Sequence, residues 1–233
     1  MKIAFLIQQN FRVLSTFHTL PFNDALGKGV LQIRIFRNYL EQDKLYLREY
    51  AKALHLVAKR LDEAYASQIF LFLKGTIALE REIQETYLKE LPSPSFFAKN
   101  QQTIQKMPVI DEYCQHLLET ATEGSVQEAV VSLLPCFLVY KELGERTILS
   151  TSSIEHPFRN WISTYSDKEF VYATLKFVEI ADKLIENIDC PLHQERIAHK
   201  FKKSVHFEAR FFNDIVSLKN EVSYQPELVS FRS

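Results

Sequence analysis

Glycine and proline are scarce, five and eight in 233 residues. So few turn-forming residues leave little room for the many tight reversals of an all-β protein. Cysteine is scarcer still. Cys114, Cys136 and Cys190 show no regular spacing, so they form neither a disulfide framework nor a zinc site. Charge of one sign is not in excess either: 28 Lys and Arg face 29 Asp and Glu, which leaves no basic field to draw in nucleic acid. No run approaches the ~20 apolar residues that a membrane span needs. The apolar residues 3–7 are followed by Gln8, Gln9 and Asn10, too early for a secretory segment. These absences point to a soluble protein of a reducing, cytoplasmic compartment, with no nucleic acid and no membrane as partner.

What is abundant is apolar side chain at helical spacing. With 46% hydrophobic and 24% charged residues, the chain suits one compact domain with a large core. Over 32–61, Ile35, Phe36, Tyr39, Leu40, Tyr46, Leu47, Tyr50, Leu54, Val57 and Leu61 recur at threes and fours. Further helices are predicted over about 62–91, ended by the prolines of LPSPS, and over 106–122. Another follows Gly124-Ser125, where Ser125 suits an N-cap and Gly144 ends or bends the helix. His156-Pro157 starts one more, with Trp161, Ile162 and Tyr165 on its face, and two amphipathic helices cover 170–187 and 195–218. The class is all-α, about eight helices in one domain. Residues 3–19 have only loose helical spacing, and 21–32, broken by Gly27 and Gly29, read as a connector rather than a phosphate loop.

Three positions stand out chemically. In LLPCFLVYKELGE (133–145), Cys136 follows a proline, and Tyr140 lies one turn on along the same face. Pro135 removes the partner of the Val131 carbonyl and should kink the helix beside the thiol. That is a possible nucleophile site, and equally a packed core helix with an inert thiol. Asp43 falls within the apolar stripe beside Tyr46 and Tyr50, where it either finds an internal partner or lines a pocket. Glu208 sits among Phe201, Val205, Phe211, Phe212 and Ile215 with the same two readings. Cys114 and His116, two apart, face different directions and make a poor pair. The glutamates of LEREIQETYLKE have no histidine at i+3, as a di-iron bundle would need, and read as a solvated face.

Taken together, LEQDKLYL (40–47), LLPCFLVYKELGE (133–145), HPFRNWISTYSD (156–167) and FKKSVHFEARFFND (201–214) resemble the TenA/thiaminase II family in order and spacing, from about Pro21 to Asp214. The resemblance implies a heme-oxygenase-like helical bundle assembled as a homotetramer. Residues 1–20 would be an extension packed on a domain of 21–222, with 223–233 a tail. It implies hydrolysis of 4-amino-5-aminomethyl-2-methylpyrimidine to the 5-hydroxymethyl compound and ammonia, a thiamin-salvage step, with cleavage of thiamin itself a related activity. Cys136 would be the nucleophile, Glu208 the acid/base and Asp43 the group that holds the aminopyrimidine. Tyr46, Tyr113, Tyr140 and Tyr165 would line the pocket. No metal and no organic cofactor would be required.

The pattern departs from the family at two places. Leu20-Pro21-Phe22 stands where His-Pro-Phe is common, and Ala209-Arg210-Phe211-Phe212 where Tyr-x-Phe-Trp is usual. Arg210, next to the pocket, would then affect which substituent fits. The same fold also carries metal-dependent oxidases, a cofactor-free ring-oxidising enzyme and a possible non-catalytic regulator or scaffold. The oxidases use histidines among their carboxylates, which this chain does not offer at matching positions. A scaffold has no physical need for two acids and a thiol in its core.

Overall fold

The structure, a computed structural model, describes residues 1–91, 104–150 and 156–217. These residues are helical, with no strand among them. In order they form α1 (Ile3–Gln9), α2 (Phe11–Leu14), a 3-10 turn, α3 (Pro21–Gly27), α4 (Ile33–Ala58) and α5 (Glu63–Glu82). A π-helical segment, Ile83–Tyr87, leads into the short α6 (Leu88–Glu90). Then come α7 (Pro108–Glu123), α8 (Val126–Ser150), α9 (Arg159–Ser166), α10 (Lys168–Ile185) and α11 (Pro191–Ser217).

The bundle is built around α4 and α8. The apolar stripe of α4 is buried along its length, with Asp43 inside it, and it packs on α5 and α7. α8 is apolar nearly all round because α11, α9, α10 and α7 all pack on it. Each large side chain removed from water on these faces contributes ~1.5–3 kcal/mol.

Side chains fix where the helices start and stop. Ser125 Oγ accepts from the Glu128 N–H at 3.1 Å, the N-cap expected for α8. Asp167 caps α10 in the same way, accepting from the Glu169 N–H at 2.8 Å. Arg60 donates to the carbonyls of Ala121 and Gly124 at the end of α7, both at 2.6 Å. Gln42, buried on α4, holds the entry to α7 from both sides: its amide donates to the Gln105 carbonyl at 2.9 Å and accepts from the Met107 N–H at 2.7 Å.

Four sequence expectations are corrected by the structure. Residues 21–27, read as part of a connector, are helical, and the chain reverses only beyond Gly27, with Gly29 at φ +70°. α9 begins at Arg159, so His156-Pro157 lies just before the helix rather than starting it. α11 begins at Pro191, a turn earlier than the apolar pattern suggests, because proline is well suited to the first helical position. Gly144 does not end α8. It lies inside that helix where α9 crosses, and a Cβ there would stand 2.6 Å from the Tyr165 carbonyl carbon and 2.8 Å from the Ser166 nitrogen. The prolines of LPSPS and the 223–233 tail lie outside the described residues.

The N-terminal segment joins the core. Ile3, Leu6 and Phe17 are buried, and the Ile3 N–H donates to Asp182 on α10 at 2.6 Å.

Because the backbone at Tyr165 occupies the space that the missing side chain of Gly144 leaves, Gly144→Ala is expected to push α9 away from α8. Overpacking of this kind costs about 1–3 kcal/mol. Urea unfolding should show that loss, and a variant as stable as the parent would contradict the close approach.

Candidate active site

Four helices bring the singled-out residues together. α4 supplies Asp43 and Tyr46, α7 supplies Tyr113, α8 supplies Cys136 and Tyr140, and α11 supplies Glu208; the short α9 adds Tyr165. Beside them opens a cavity of about 750 Å³, a size suited to a small organic ligand. Asp43, Cys136, Tyr140 and Tyr165 are in its wall. Tyr46, Tyr113 and Glu208 are not; they form a layer beside the thiol, outside the cavity wall.

That layer is tightly ordered. The Tyr113 hydroxyl donates to Glu208 Oε1 at 2.9 Å. The Tyr113 ring stacks on Phe207 at 5.0 Å and packs on Tyr46 at 4.9 Å, which in turn meets Tyr50 at 5.5 Å. On the other side of the site, the hydroxyls of Tyr140 and Tyr39 are hydrogen-bonded at 2.7 Å. Tyr140 also packs on Tyr165 at 4.8 Å, and Tyr165 on Trp161 at 4.8 Å. The thiol therefore sits between two sets of tyrosines with few degrees of freedom.

Burial governs the electrostatics. Asp43 and Glu208 are each 2% exposed. Removal from water raises the Asp43 carboxyl to about 7, the Tyr39 hydroxyl opposing. It raises Glu208 to about 8; the Tyr113 hydrogen bond opposes this and the charge of Asp43 adds to it. Cys136 is pushed well above an ordinary thiol, first by burial and then by the Glu208 charge, with the Tyr46 hydroxyl working the other way. No cation is among the groups that set these three values. At neutral pH the thiol and Glu208 thus hold their protons.

Three polar atoms in this region have no hydrogen-bond partner: Asp43 Oδ2, the Tyr46 hydroxyl and Trp161 Nε1. Leaving such atoms buried and unpaired costs about 1–3 kcal/mol each. A ligand with donors facing Asp43 would recover part of that.

Several residues that the structure brings to the site are not among those the sequence assigns to it, although Tyr50 is already placed beside Asp43 there. Tyr39, one turn before Asp43, was discernible from its i, i+4 spacing. Tyr50 lines the cavity and donates to the Leu133 carbonyl at 2.8 Å, holding α4 against the turn before Pro135. Phe72 and Thr76 reach the cavity from α5, and Glu82 stands at its margin just before the π-helical segment. No sequence signal marks these three; the glutamate-rich end of α5 reads simply as solvated face. Arg210 corrects an expectation. It is exposed, pairs with Glu112 at 2.7 Å and lies over Phe207 rather than in the cavity, so it does not select a substituent. Cys114 and His116 are both buried and separate in role, as their spacing suggests. Among the described residues, no group of three His, Cys, Asp or Glu is arranged to hold a metal ion. Nor is any helix among them long and apolar enough to cross a membrane.

The model of the TENA/THI-4/PQQC family matches residues 9–217 of this chain. An aminopyrimidine aminohydrolase from Halalkalibacterium halodurans is 29% identical over 171 residues, 72% of this chain and 72% of that protein. One from Helicobacter pylori is 30% identical over 166 residues, 70% of this chain and 75% of that protein. Among solved structures, the TenA homologue protein from P. horikoshii OT3 is similar with a TM-score of 0.80 and 22% identity, covering 91% of this chain and 97% of that one. A domain with a heme oxygenase-like fold from Shewanella denitrificans OS217 has a TM-score of 0.71 at 13% identity, over 94% and 93% of the two chains. The fold is thus the heme-oxygenase-like bundle.

The raised carboxyl values carry a prediction for stability. A carboxyl whose folded value lies above its unfolded one, ~4, binds its proton more tightly in the folded state. Its contribution is complete below pH ~4 and is lost as pH rises through the folded value. Asp43 and Glu208 should therefore destabilise the protein between pH ~4 and their folded values of about 7 and about 8. Asp43→Asn/Glu208→Gln should lack this loss, gaining on the order of a few kcal/mol relative to the parent from pH 5 to 9. Urea unfolding across that range reads the difference, and parallel curves would contradict the raised values.

Proposed function

The chain belongs to the TENA/THI-4/PQQC family, and from that premise we propose that it is an aminopyrimidine aminohydrolase. It converts 4-amino-5-aminomethyl-2-methylpyrimidine and water to the 5-hydroxymethyl compound and ammonia. Two relatives of 29% and 30% identity, aminopyrimidine aminohydrolases themselves, support this reading. The observation that carries it within the chain is the meeting of a thiol and an unpartnered carboxyl oxygen at one cavity: Cys136 and Asp43 share its wall, and Asp43 Oδ2 lacks any hydrogen bond.

Asp43 receives the amino group and adjacent ring nitrogen of the pyrimidine, giving Oδ2 its missing donor. The tyrosine and phenylalanine rings of the wall sandwich the heterocycle. The Cys136 sulfur then adds to an electron-poor ring carbon. A C–S bond forms, the thiol proton is given up, and the ring loses its aromaticity as it takes a proton on nitrogen. The exocyclic C–N bond breaks and the amine leaves as ammonia, taking the proton that Glu208 holds at neutral pH. Water adds to the exocyclic carbon and returns a proton to Glu208. Finally the C–S bond breaks, the sulfur recovers its proton and the ring its aromaticity.

A carboxyl near 8 is suited to both halves of this cycle, since it gives and takes a proton close to working pH. Tyr113 orients Glu208, Tyr46 faces the thiol, and Tyr140 and Tyr165 shape the opposite wall. The cavity has room for a leaving group larger than ammonia, so cleavage of thiamin falls within the same proposal. The working assembly in this reading is a cytoplasmic homotetramer, with residues 1–20 an extension on a domain of 21–222.

Ammonia release tests the assignment. Cys136→Ser should lower kcat on the order of 10³-fold or more, and Glu208→Gln by ~10²–10⁴-fold. Asp43→Asn should mainly raise KM, by about 10–100-fold, as loss of a charged hydrogen bond does. A folded parent protein that releases no ammonia from the pyrimidine and does not cleave thiamin would overturn the proposal.

A further inference from the structure

One helical turn away from the reacting groups, three helices are tied by hydrogen bonds that the chemistry does not use. Ser204 precedes Glu208 by four residues on α11, and Ser132 precedes Cys136 by four on α8. His116 follows Tyr113 by three on α7. Residues three or four apart stack along one helix face, so the three lie one turn, about 5.4 Å, from the groups they neighbour. All three are buried.

The bonds have only one consistent direction. Ser204 Oγ lies 2.7 Å from the Ser132 carbonyl oxygen, which can only accept. The single hydroxyl proton of Ser204 is therefore committed there. Ser204 Oγ is also 3.2 Å from His116 Nε2, so at that contact it accepts and His116 donates. His116 is then the neutral imidazole with its proton on Nε2. Burial, with the charges of Lys203 and Lys200 adding in the same sense and the Lys200 backbone opposing, lowers its value to about 3, which keeps it neutral.

The carbonyl at the end of this chain belongs to the weak turn of α8. Pro135 gives the Val131 carbonyl no N–H, and the turn beside a proline is loosened. The next two carbonyls each take a side-chain hydroxyl from another helix, Ser132 from Ser204 and Leu133 from Tyr50. The proline turn is thus held from α11 and from α4 together.

We propose that His116 and Ser204 are positioning residues: their chain of hydrogen bonds to the Ser132 carbonyl sets the height of the Pro135 turn against α7 and α11, and so the approach of Cys136 to Glu208 and Tyr113. Neither touches the substrate. The proposal rests on the aminohydrolase reading for its kinetic consequence but not for its geometric one, and the test separates the two.

The variants are Ser204→Ala, His116→Phe, which keeps the ring shape without the donor, and His116→Gln, whose amide keeps a donor near Nε2. Misplacement of reacting groups by an ångström costs up to ~10²-fold, so kcat for ammonia release should fall ~10–100-fold in the first two. KM should stay within about twofold, because Asp43 and the rings of α4 are untouched. His116→Gln should recover most of the lost kcat. In parallel, the rate at which iodoacetamide modifies Cys136, read by peptide mass with Cys114 and Cys190 as references, should rise in Ser204→Ala and His116→Phe and return towards the parent in His116→Gln.

Folded variants with parental kcat and parental Cys136 reactivity would overturn the proposal. So would a His116→Gln as impaired as His116→Phe, or losses in kcat matched by equal rises in KM. If Ser204→Ala does not fold, the two His116 variants decide alone. If the parent releases no ammonia while thiol reactivity changes as stated, the aminohydrolase reading fails and the positioning role stands.

Discussion

Withdrawal from water of three ionisable groups, Asp43, Cys136 and Glu208, is the constraint on which the rest of this structure depends. Each is enclosed by aromatic rings, no cation is among the groups that set its value, and each has its neutral form favoured over what solution would give. Such an arrangement costs stability and is maintained by the surrounding packing, in which α4 and α8 are covered on most sides. The cost has a chemical use. A neutral thiol is protected from adventitious oxidation and alkylation, and a protonated carboxyl beside it is available as an acid. A ligand that supplies donors to Asp43 then favours its charged form.

The aromatic packing also explains how the chain's departures from its family's usual motifs coexist. Phe22, from the Leu20-Pro21-Phe22 segment, lies 5.6 Å from Phe212, and both meet Tyr39, at 4.8 and 6.2 Å. Tyr39 carries the hydroxyl that bonds Tyr140. The two altered segments therefore meet in space, behind the tyrosine pair rather than in the cavity. They change what supports the site without changing its chemical groups, and Arg210 turns outwards to Glu112.

Much of this was legible in the sequence because helices translate spacing into faces. The stripe of α4 fixed which side of Asp43 is inside, and Cys136 and Tyr140 at i, i+4 had to share a face. What spacing cannot show is how helices meet. Gly144 carries the signature of a helix end, yet its missing Cβ serves the crossing of α9. Phe72 and Thr76 come to the cavity from α5, whose apolar positions do not form a clear stripe, and they are placed only by its packing on α4. Ser204 and His116 look ordinary in sequence; only the layering of α7, α8 and α11 gives them partners.

The central claim is that burial keeps the Cys136 thiol protonated until a ligand enters. Ultraviolet thiolate absorbance, recorded against pH for the ligand-free protein and for Cys136→Ser, isolates this one group by difference. The account predicts no Cys136 thiolate at neutral pH and a midpoint above the ordinary ~8.5 of cysteine. A midpoint below that value would mean that a positive influence outweighs burial in the resting site, and would contradict the account.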